Sequence, residues 1–208
     1  MDGLGRYDGR MKNDTPFEAV CVYCGSSNAA SPAYLEAAAL LGKTLAAEGV
    51  KLVYGGGGVG LMGACARAAH EVGGKVLGIM PEFLRGREIL FDDVETIVVQ
   101  SMHERKQLLF ENADAFIVLP GGIGTLEEVI ELMSWRRMSL HAKPLVFYSP
   151  DGFWEPLFAL LRHTVEQKLT PVEMLDTWRA VDRVEDLLPA LRAVAEEPQA
   201  GPPIALVG

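Results

Sequence analysis

The sequence predicts a single doubly wound α/β domain, on three observations. Short, near-continuous apolar runs recur along the chain and read as strands buried on both faces. A helical pattern follows nearly every one of them, the alternation expected of a parallel sheet covered on both sides. Three of the runs end in clusters of glycine and serine, at Gly25-Ser26-Ser27, Gly55 to Gly63 and Gly121 to Thr125. In such a sheet ligands bind beyond the carboxyl ends of the strands, so those clusters mark the candidate binding edge.

The elements follow in order. Residues 1–16 are polar, contain glycine and lack usable periodicity, and are expected to form a mobile N-terminal tail ahead of one domain spanning 17–208. Ala19 to Cys24 is the first strand, and Ser31-Pro32 supplies an N-cap and an N1 proline for a helix that Gly49 ends. Lys51 to Tyr54 is the second strand, followed by a glycine loop and an alanine-rich helix to about Val72. Lys75 to Met80 is the third and stops at Pro81; Glu82 to Asp93 is mixed, a loop with some helix. Val94 to Val99 precedes a helix over Ser101 to Asn112, and Ala115 to Leu119 precedes one from Thr125 to about Met138. Lys143 to Tyr148, a helix from Gly152 to Lys168, a short edge strand at Trp178 to Val181 and a helix from Val184 to Ala195 complete the chain. The expectation is a Rossmann-like parallel sheet of about six to seven strands with helices on both faces.

Composition narrows the function classes. With 208 residues, 49% apolar and 23% charged, the chain can bury a full core. Its net charge of −9 argues against a broad nucleic-acid-tracking surface. No apolar run approaches the roughly 20 residues of a membrane span, and the start, Met1 to Arg6, lacks the apolar core of a signal peptide, so a cytoplasmic protein with no membrane partner is expected. Cys21, Cys24 and Cys65 give an odd count and no second cysteine pair, against both a disulfide framework and a four-ligand zinc site. Cys21 and Cys24 form a C-x-x-C, but residues three apart on a strand point to opposite faces, which favours buried, inert thiols. His70, His103, His141 and His163 form no ligand set, and no metal is expected.

The run Pro120 to Glu128 carries the chemistry. Three glycines in four positions allow close backbone approach, and the helix start behind them offers free N–H groups to an anion. Thr125-x-x-Glu128 also fits a capping box, a purely structural use of the same residues. The second glycine loop contains two overlapping G-x-G-x-x-G matches, at Gly55 and Gly58. A complete strand and helix precede it, whereas a dinucleotide site normally opens the fold, so NAD(P) is not favoured. Ser101-x-x-Glu104 is a further capping box, yet it is followed by Arg105 and Lys106, cations at the positive end of the helix dipole. That placement points to an anion nearby, the alternative being solvation or pairing with Glu104 or Glu111.

Taken together, Tyr54-Gly55-Gly56-Gly57-x-x-Gly60-Leu61-Met62-Gly63, then Met102-His103-Glu104-Arg105-Lys106, then Pro120-Gly121-Gly122-x-Gly124-Thr125-x-x-Glu128 resemble the Lonely Guy family, over about Ala19 to Val181. That family consists of phosphoribohydrolases acting on cytokinin riboside 5'-monophosphates; it also includes adenosine monophosphate hydrolases, and bacterial members carry an old lysine decarboxylase label. The resemblance implies hydrolysis of the N-glycosidic bond of a purine nucleoside 5'-monophosphate, without a cofactor, by a homodimer whose active sites are shared across the interface. It implies Arg105 and Glu128 as the catalytic pair. Gly25, Ser26, Gly56, Gly57, Gly60, Met102, Lys106, Gly121, Gly122, Gly124, Thr125, Glu127 and Ser134 would line the substrate site. Ser134 stands where the family usually has threonine. Residues Glu82 to Asp93 depart from the plant pattern, so the family's acidic contact is not assigned there, Glu88 being the nearest candidate. A carboxylate under the sugar suits a reaction that passes through an oxocarbenium-like state, and a guanidinium, which keeps its proton, suits holding a phosphate or hydroxyl. Decarboxylation would need a lysine in a Schiff-base setting, which the sequence does not offer. The competing reading is a non-catalytic nucleotide-binding or carrier protein on the same sheet.

Overall fold

A computed structural model describes residues 16–85 and 91–197. The tail expected at residues 1–16 and the candidate Glu88 fall almost wholly or wholly outside the described residues, as do 198–208 at the end of the expected domain. Seven parallel strands form one sheet: β1 (Ala19–Tyr23), β2 (Lys51–Tyr54), β3 (Val76–Pro81), β4 (Glu95–Val99), β5 (Ala115–Val118), β6 (Leu145–Tyr148) and β7 (Arg179–Val181). Their order across the sheet is β4-β3-β2-β1-β5-β6-β7. Six α-helices accompany them: α1 (Pro32–Ala47), α2 (Gly60–Glu71), α3 (Met102–Glu111), α4 (Ile123–Arg137), α5 (Glu155–Glu166) and α6 (Leu187–Glu196).

The two faces are separately packed. Buried residues of α1, α2 and α6 share one core with Val20, Val22, Leu52 and Ile117, while α3, α4 and α5 share the other with Cys21, Val53, Phe116 and Phe147. Successive strand residues therefore alternate between cores, and Cys21 and Cys24 do end up on opposite faces, both buried thiols. Phe116 is fully buried and stacked near Tyr23 and Phe110, so truncating it to alanine would cost about 3–5 kcal/mol. α1 and α2 approach closely because both present small residues: a Cβ on Gly42 would overlap the Cys65 carbonyl.

The strand predictions hold to within a residue or two. Three helix starts differ. α4 begins at Ile123, two residues before the predicted Thr125, because Gly122 takes the N-cap position. The helices after β6 and β7 are each preceded by a 3-10 turn, Pro150–Gly152 and Val184–Asp186, where Asp151 at φ 52° interrupts the first. The mixed stretch after β3 holds a 3-10 turn at Glu82–Leu84. No helix among the described residues is long and apolar enough to cross a membrane.

Candidate active site at the switch point of the sheet

Strand order reverses between β1 and β5: the chain leaves β1 through α1 toward β2, and leaves β5 through α4 toward β6, on the opposite face. That divergence opens a crevice beyond the two carboxyl ends. Its floor is knitted from three loops. Gly25 donates its N–H to Pro120 O (3.1 Å), and Gly25 O accepts the N–H of Leu61 (3.0 Å). Asn28 Oδ1 accepts from Gly60 N (2.9 Å). Gly60 has φ +58°, and a Cβ there would overlap the Ser26 carbonyl carbon and lie 2.7 Å from Ser27 N, so only glycine lets the second loop close against the first.

On the β5 side the first helical hydrogen bond is Leu126 N to Gly122 O (3.0 Å). The N–H groups of Ile123, Gly124 and Thr125 precede it and have no intrahelical acceptor, and Gly122 makes no side-chain cap. The capping-box reading of Thr125 and Glu128 is thereby corrected: Thr125 lies inside the first turn, buried, beneath Gly121, where a Cβ would overlap its hydroxyl. The helix start is left as a cluster of donors at the positive end of a four-turn dipole. The Ser101 cap is present, with Ser101 Oγ accepting from Glu104 N (3.1 Å), but the return bond of the box is displaced: Glu104 Oε2 accepts from Gln100 N (2.8 Å), the residue before the N-cap.

Arg105 leaves α3 and crosses to the carboxyl ends of β2 and β3. It is 7% exposed; its Nε donates to Ile79 O (3.2 Å), its Nη2 to Gly55 O (3.1 Å), and its Nη1 lies 3.9 Å from Met102 Sδ. Backbone carbonyls, not Glu104 or Glu111, thus meet the charge that the sequence places at the wrong end of the helix dipole. Of five guanidinium N–H groups, three are engaged in this way and two remain.

These parts surround a cavity of about 320 Å³. Of the sequence-predicted residues, Gly25, Ser26, Arg105, Gly122, Gly124, Thr125 and Glu128 line it. Gly60 and Gly121 stand just behind the wall, as the contacts above show; Gly56, at φ +82°, packs on Met80, and Gly57 is buried. Met102 touches Arg105 from outside the lining. Lys106 and Glu127 are joined to each other at 2.6 Å, with Glu131 on the same ammonium at 2.9 Å, an α3–α4 clamp beside the cavity. Ser134 is exposed, nine residues beyond Thr125 along α4 and outside this cavity. Ser27, Gly55, Met62 and Ile123 also line the cavity, from within the three glycine clusters that mark the binding edge; Ile123 is 84% exposed. The sequence reading missed Val22, Tyr23 and Cys24, the end of β1, whose run into Gly25 was the available signal.

The titrating groups restrict the chemistry. Burial, followed by the neighbouring Cys65 and Glu128, pushes the Cys24 thiol well up, and burial with Cys21 and Glu128 nearby does the same to the Tyr23 phenol. Both stay protonated near neutrality, so neither is a thiolate or phenolate nucleophile. No lysine lines the cavity. Burial pulls the Lys106 ammonium down, but its hydrogen bonds to Glu127 and Glu131 outweigh this and leave it raised, the opposite of an amine poised for a Schiff base. Lys143, also partly buried, donates to Phe110 O and Ala113 O at the end of α3, ahead of β6 and away from the carboxyl ends of the strands. Among the described residues no three His, Cys, Asp or Glu side chains cluster as a metal site.

Fold and site together define a Rossmann-like protein with an anion-accepting crevice at its switch point, furnished with one buried arginine and one carboxylate. A family profile described as "Possible lysine decarboxylase" matches residues 62–191. The chain is 42% identical over 181 residues, 83% of its length and 80% of the other, to a protein of Oryza sativa subsp. japonica named "Probable cytokinin riboside 5'-monophosphate phosphoribohydrolase LOGL9". It is 43% identical over 152 residues to "Cytokinin riboside 5'-monophosphate phosphoribohydrolase LOG7" of Arabidopsis thaliana, covering 73% of this chain and 70% of that one. It is equally similar to the rice protein named LOG, of which the match spans 63%. The chain belongs to the Lonely Guy family. Among solved structures, a molybdenum cofactor carrier protein from Chlamydomonas reinhardtii superimposes with a TM-score of 0.65 at 21% identity, covering 86% of this chain and 98% of that one. A molybdenum cofactor binding protein from Rippkaea orientalis gives 0.64 at 24%, covering 85% and 96%. At that identity the likeness is one of fold.

Proposed function

We propose that the protein hydrolyses the N-glycosidic bond of a cytokinin riboside 5'-monophosphate or of AMP, releasing the adenine-type base and ribose 5-phosphate. The observation that carries the reading is the cavity itself, where the uncapped start of α4, the buried guanidinium of Arg105 and the carboxylate of Glu128 face one space. The 5'-phosphate sits against the N–H groups of Ile123, Gly124 and Thr125, which supply donors and a favourable dipole. Glu128, one turn further along the same helix, is then held near the sugar. As the bond from C1' to the base nitrogen breaks, the electron pair leaves with the base and the ribose gains positive charge, which the carboxylate stabilises; the water it orients bonds C1' through oxygen, and the proton that water gives up ends on the departing base nitrogen. The two free N–H groups of Arg105 hold a phosphate or hydroxyl oxygen; they do not act as an acid, since a guanidinium keeps its proton.

The same proposal includes a homodimer with shared sites. Ser134, if it serves a substrate, lies six residues beyond Glu128 along α4, about 9 Å at 1.5 Å per residue, and does not line the cavity of its own chain. A second copy laid along α4 would bring it to another cavity, and the exposed Ile130 and Met138 on that helix suit such a contact. A cytoplasmic setting and a single domain over 17–208 belong to the proposal as well. The test is incubation with AMP and with isopentenyladenosine monophosphate, following free base by chromatography, beside Glu128→Ala. Base released by the parent and not by the variant supports the hydrolase, and the two rates give its preference. No release from either nucleotide, with binding retained, would replace it by the carrier reading.

A further inference from the structure

We propose that Gly55 is a positioning residue for the reaction, acting as the seat that fixes the plane of the Arg105 guanidinium. The inference rests on the catalytic role given to Arg105 above. Gly55 contributes twice. Its carbonyl accepts Nη2 of Arg105 at 3.1 Å. Its missing side chain is the space the guanidinium fills: a Cβ built there would overlap Nη2, lie 3.3 Å from Cζ and 3.1 Å from Met62 Sδ. The guanidinium therefore lies against the bare Cα of Gly55, with Met62 beside it and Ile79 O holding Nε from the neighbouring strand end. A residue of any other type at position 55 pushes the head group out of this seat. The atom displaced is the far end of a flexible side chain, so the fold can accept the change while the two carbonyl hydrogen bonds and the aim of the two free donors are lost. Gly55 follows β2 directly at a cavity wall and needs no positive φ there, so close approach is what demands glycine at this position.

Gly55→Ala in the full chain is expected to lower kcat on the order of 100-fold, as a displacement near 1 Å at a reacting group does. KM should rise by no more than about tenfold, because the N–H donors of α4 keep the phosphate even where Arg105 loses its own contact with the substrate. A direct readout accompanies it: in nitrogen-resolved proton spectra the Arg105 Nε–H, buried on Ile79 O, should be protected from exchange in the parent and lose that protection in the variant. Retained kcat, or an unchanged protected Nε–H, overturns the proposal. If the parent turns over no nucleotide, the hydrolase reading fails alone and the Nε–H signal still decides the seat. Should Gly55→Ala fail to fold, the double variant with Arg105→Lys, which removes Nη2, must restore folding; a double variant that also fails overturns the proposal.

Discussion

The two glycine loops look alike as sequence and do opposite work. After β2, Gly55, Gly60 and Gly63 all have Cβ positions occupied by the protein itself: Arg105, the Ser26 backbone and the Gly58 carbonyl. After β5, Gly121 meets the Thr125 side chain in the same way, but Gly122 and Gly124 have nothing within 4 Å of theirs. Glycine in the first loop allows the protein to pack against itself, whereas Gly122 and Gly124 in the second keep space clear for something that is not protein. Neither helix start has a side-chain cap from its N-cap residue, but the first N–H groups of α2 are taken by Asn28 Oδ1 and Gly25 O, whereas those of α4 face the crevice. A run of glycines at a strand end is thus two different signals, and the Cβ positions separate them.

The largest effect expected from this difference is at Gly60. Alanine there meets a positive φ and the Ser26 backbone, 2.9 Å at Cα, so neither side can relax cheaply. Gly60→Ala should destabilise the protein by about 2–4 kcal/mol, read as a fall in the urea midpoint at constant slope. At Gly124 the order of effects reverses. Gly124→Ala places a methyl group in open space within the first turn of α4, which should leave stability unchanged or raise it by up to about 1 kcal/mol. The same methyl stands where the phosphate is proposed to sit, and KM should rise roughly tenfold. A Gly124→Ala variant that unfolds early but binds normally would erase the distinction between the loops.

The fold was legible because the inner strands are apolar on both faces and three strand ends carry small residues, whereas the edge strands β4 and β7 are only partly buried; β1, buried along its whole length, is the clearest case. Arg105 was legible because a cation in a helix's first turns needs an explanation, but the explanation differed. Carbonyls of Ile79 and Gly55, 26 and 50 residues away in the chain, satisfy it, and no local pattern announces such contacts. Thr125 misled in the same way: T-x-x-E spacing fits a cap, yet Gly122 ends the turn first, so the helix starts earlier and the threonine goes inside. Ser134 was placed by resemblance only, and it lies further along α4, outside the cavity.

The smallest effect sharpens the comparison from the side, because Lys106 is where the two regions are tied together. It follows Arg105 on α3 and grips Glu127 and Glu131 on α4, so it can act as a strut that sets the arginine helix against the helix of the second loop. Glu127 is half exposed, which limits the clamp to about 0.5–1 kcal/mol, screened further by salt. Because the folded pKa of Lys106 is raised, its contribution is fully present below the ordinary lysine value of 10.5 and is lost as pH climbs through the folded value. Lys106→Met should therefore lower stability by a constant small amount across pH 6 to about 9, and the gap to the parent should close only at strongly alkaline pH. If Lys106 instead leaves the clamp to take the substrate phosphate, the same variant raises KM well beyond what that loss of stability explains, and added nucleotide stabilises the parent more than the variant. A KM that stays put while the midpoint falls identifies the strut, and assigns phosphate binding to the backbone of the second loop.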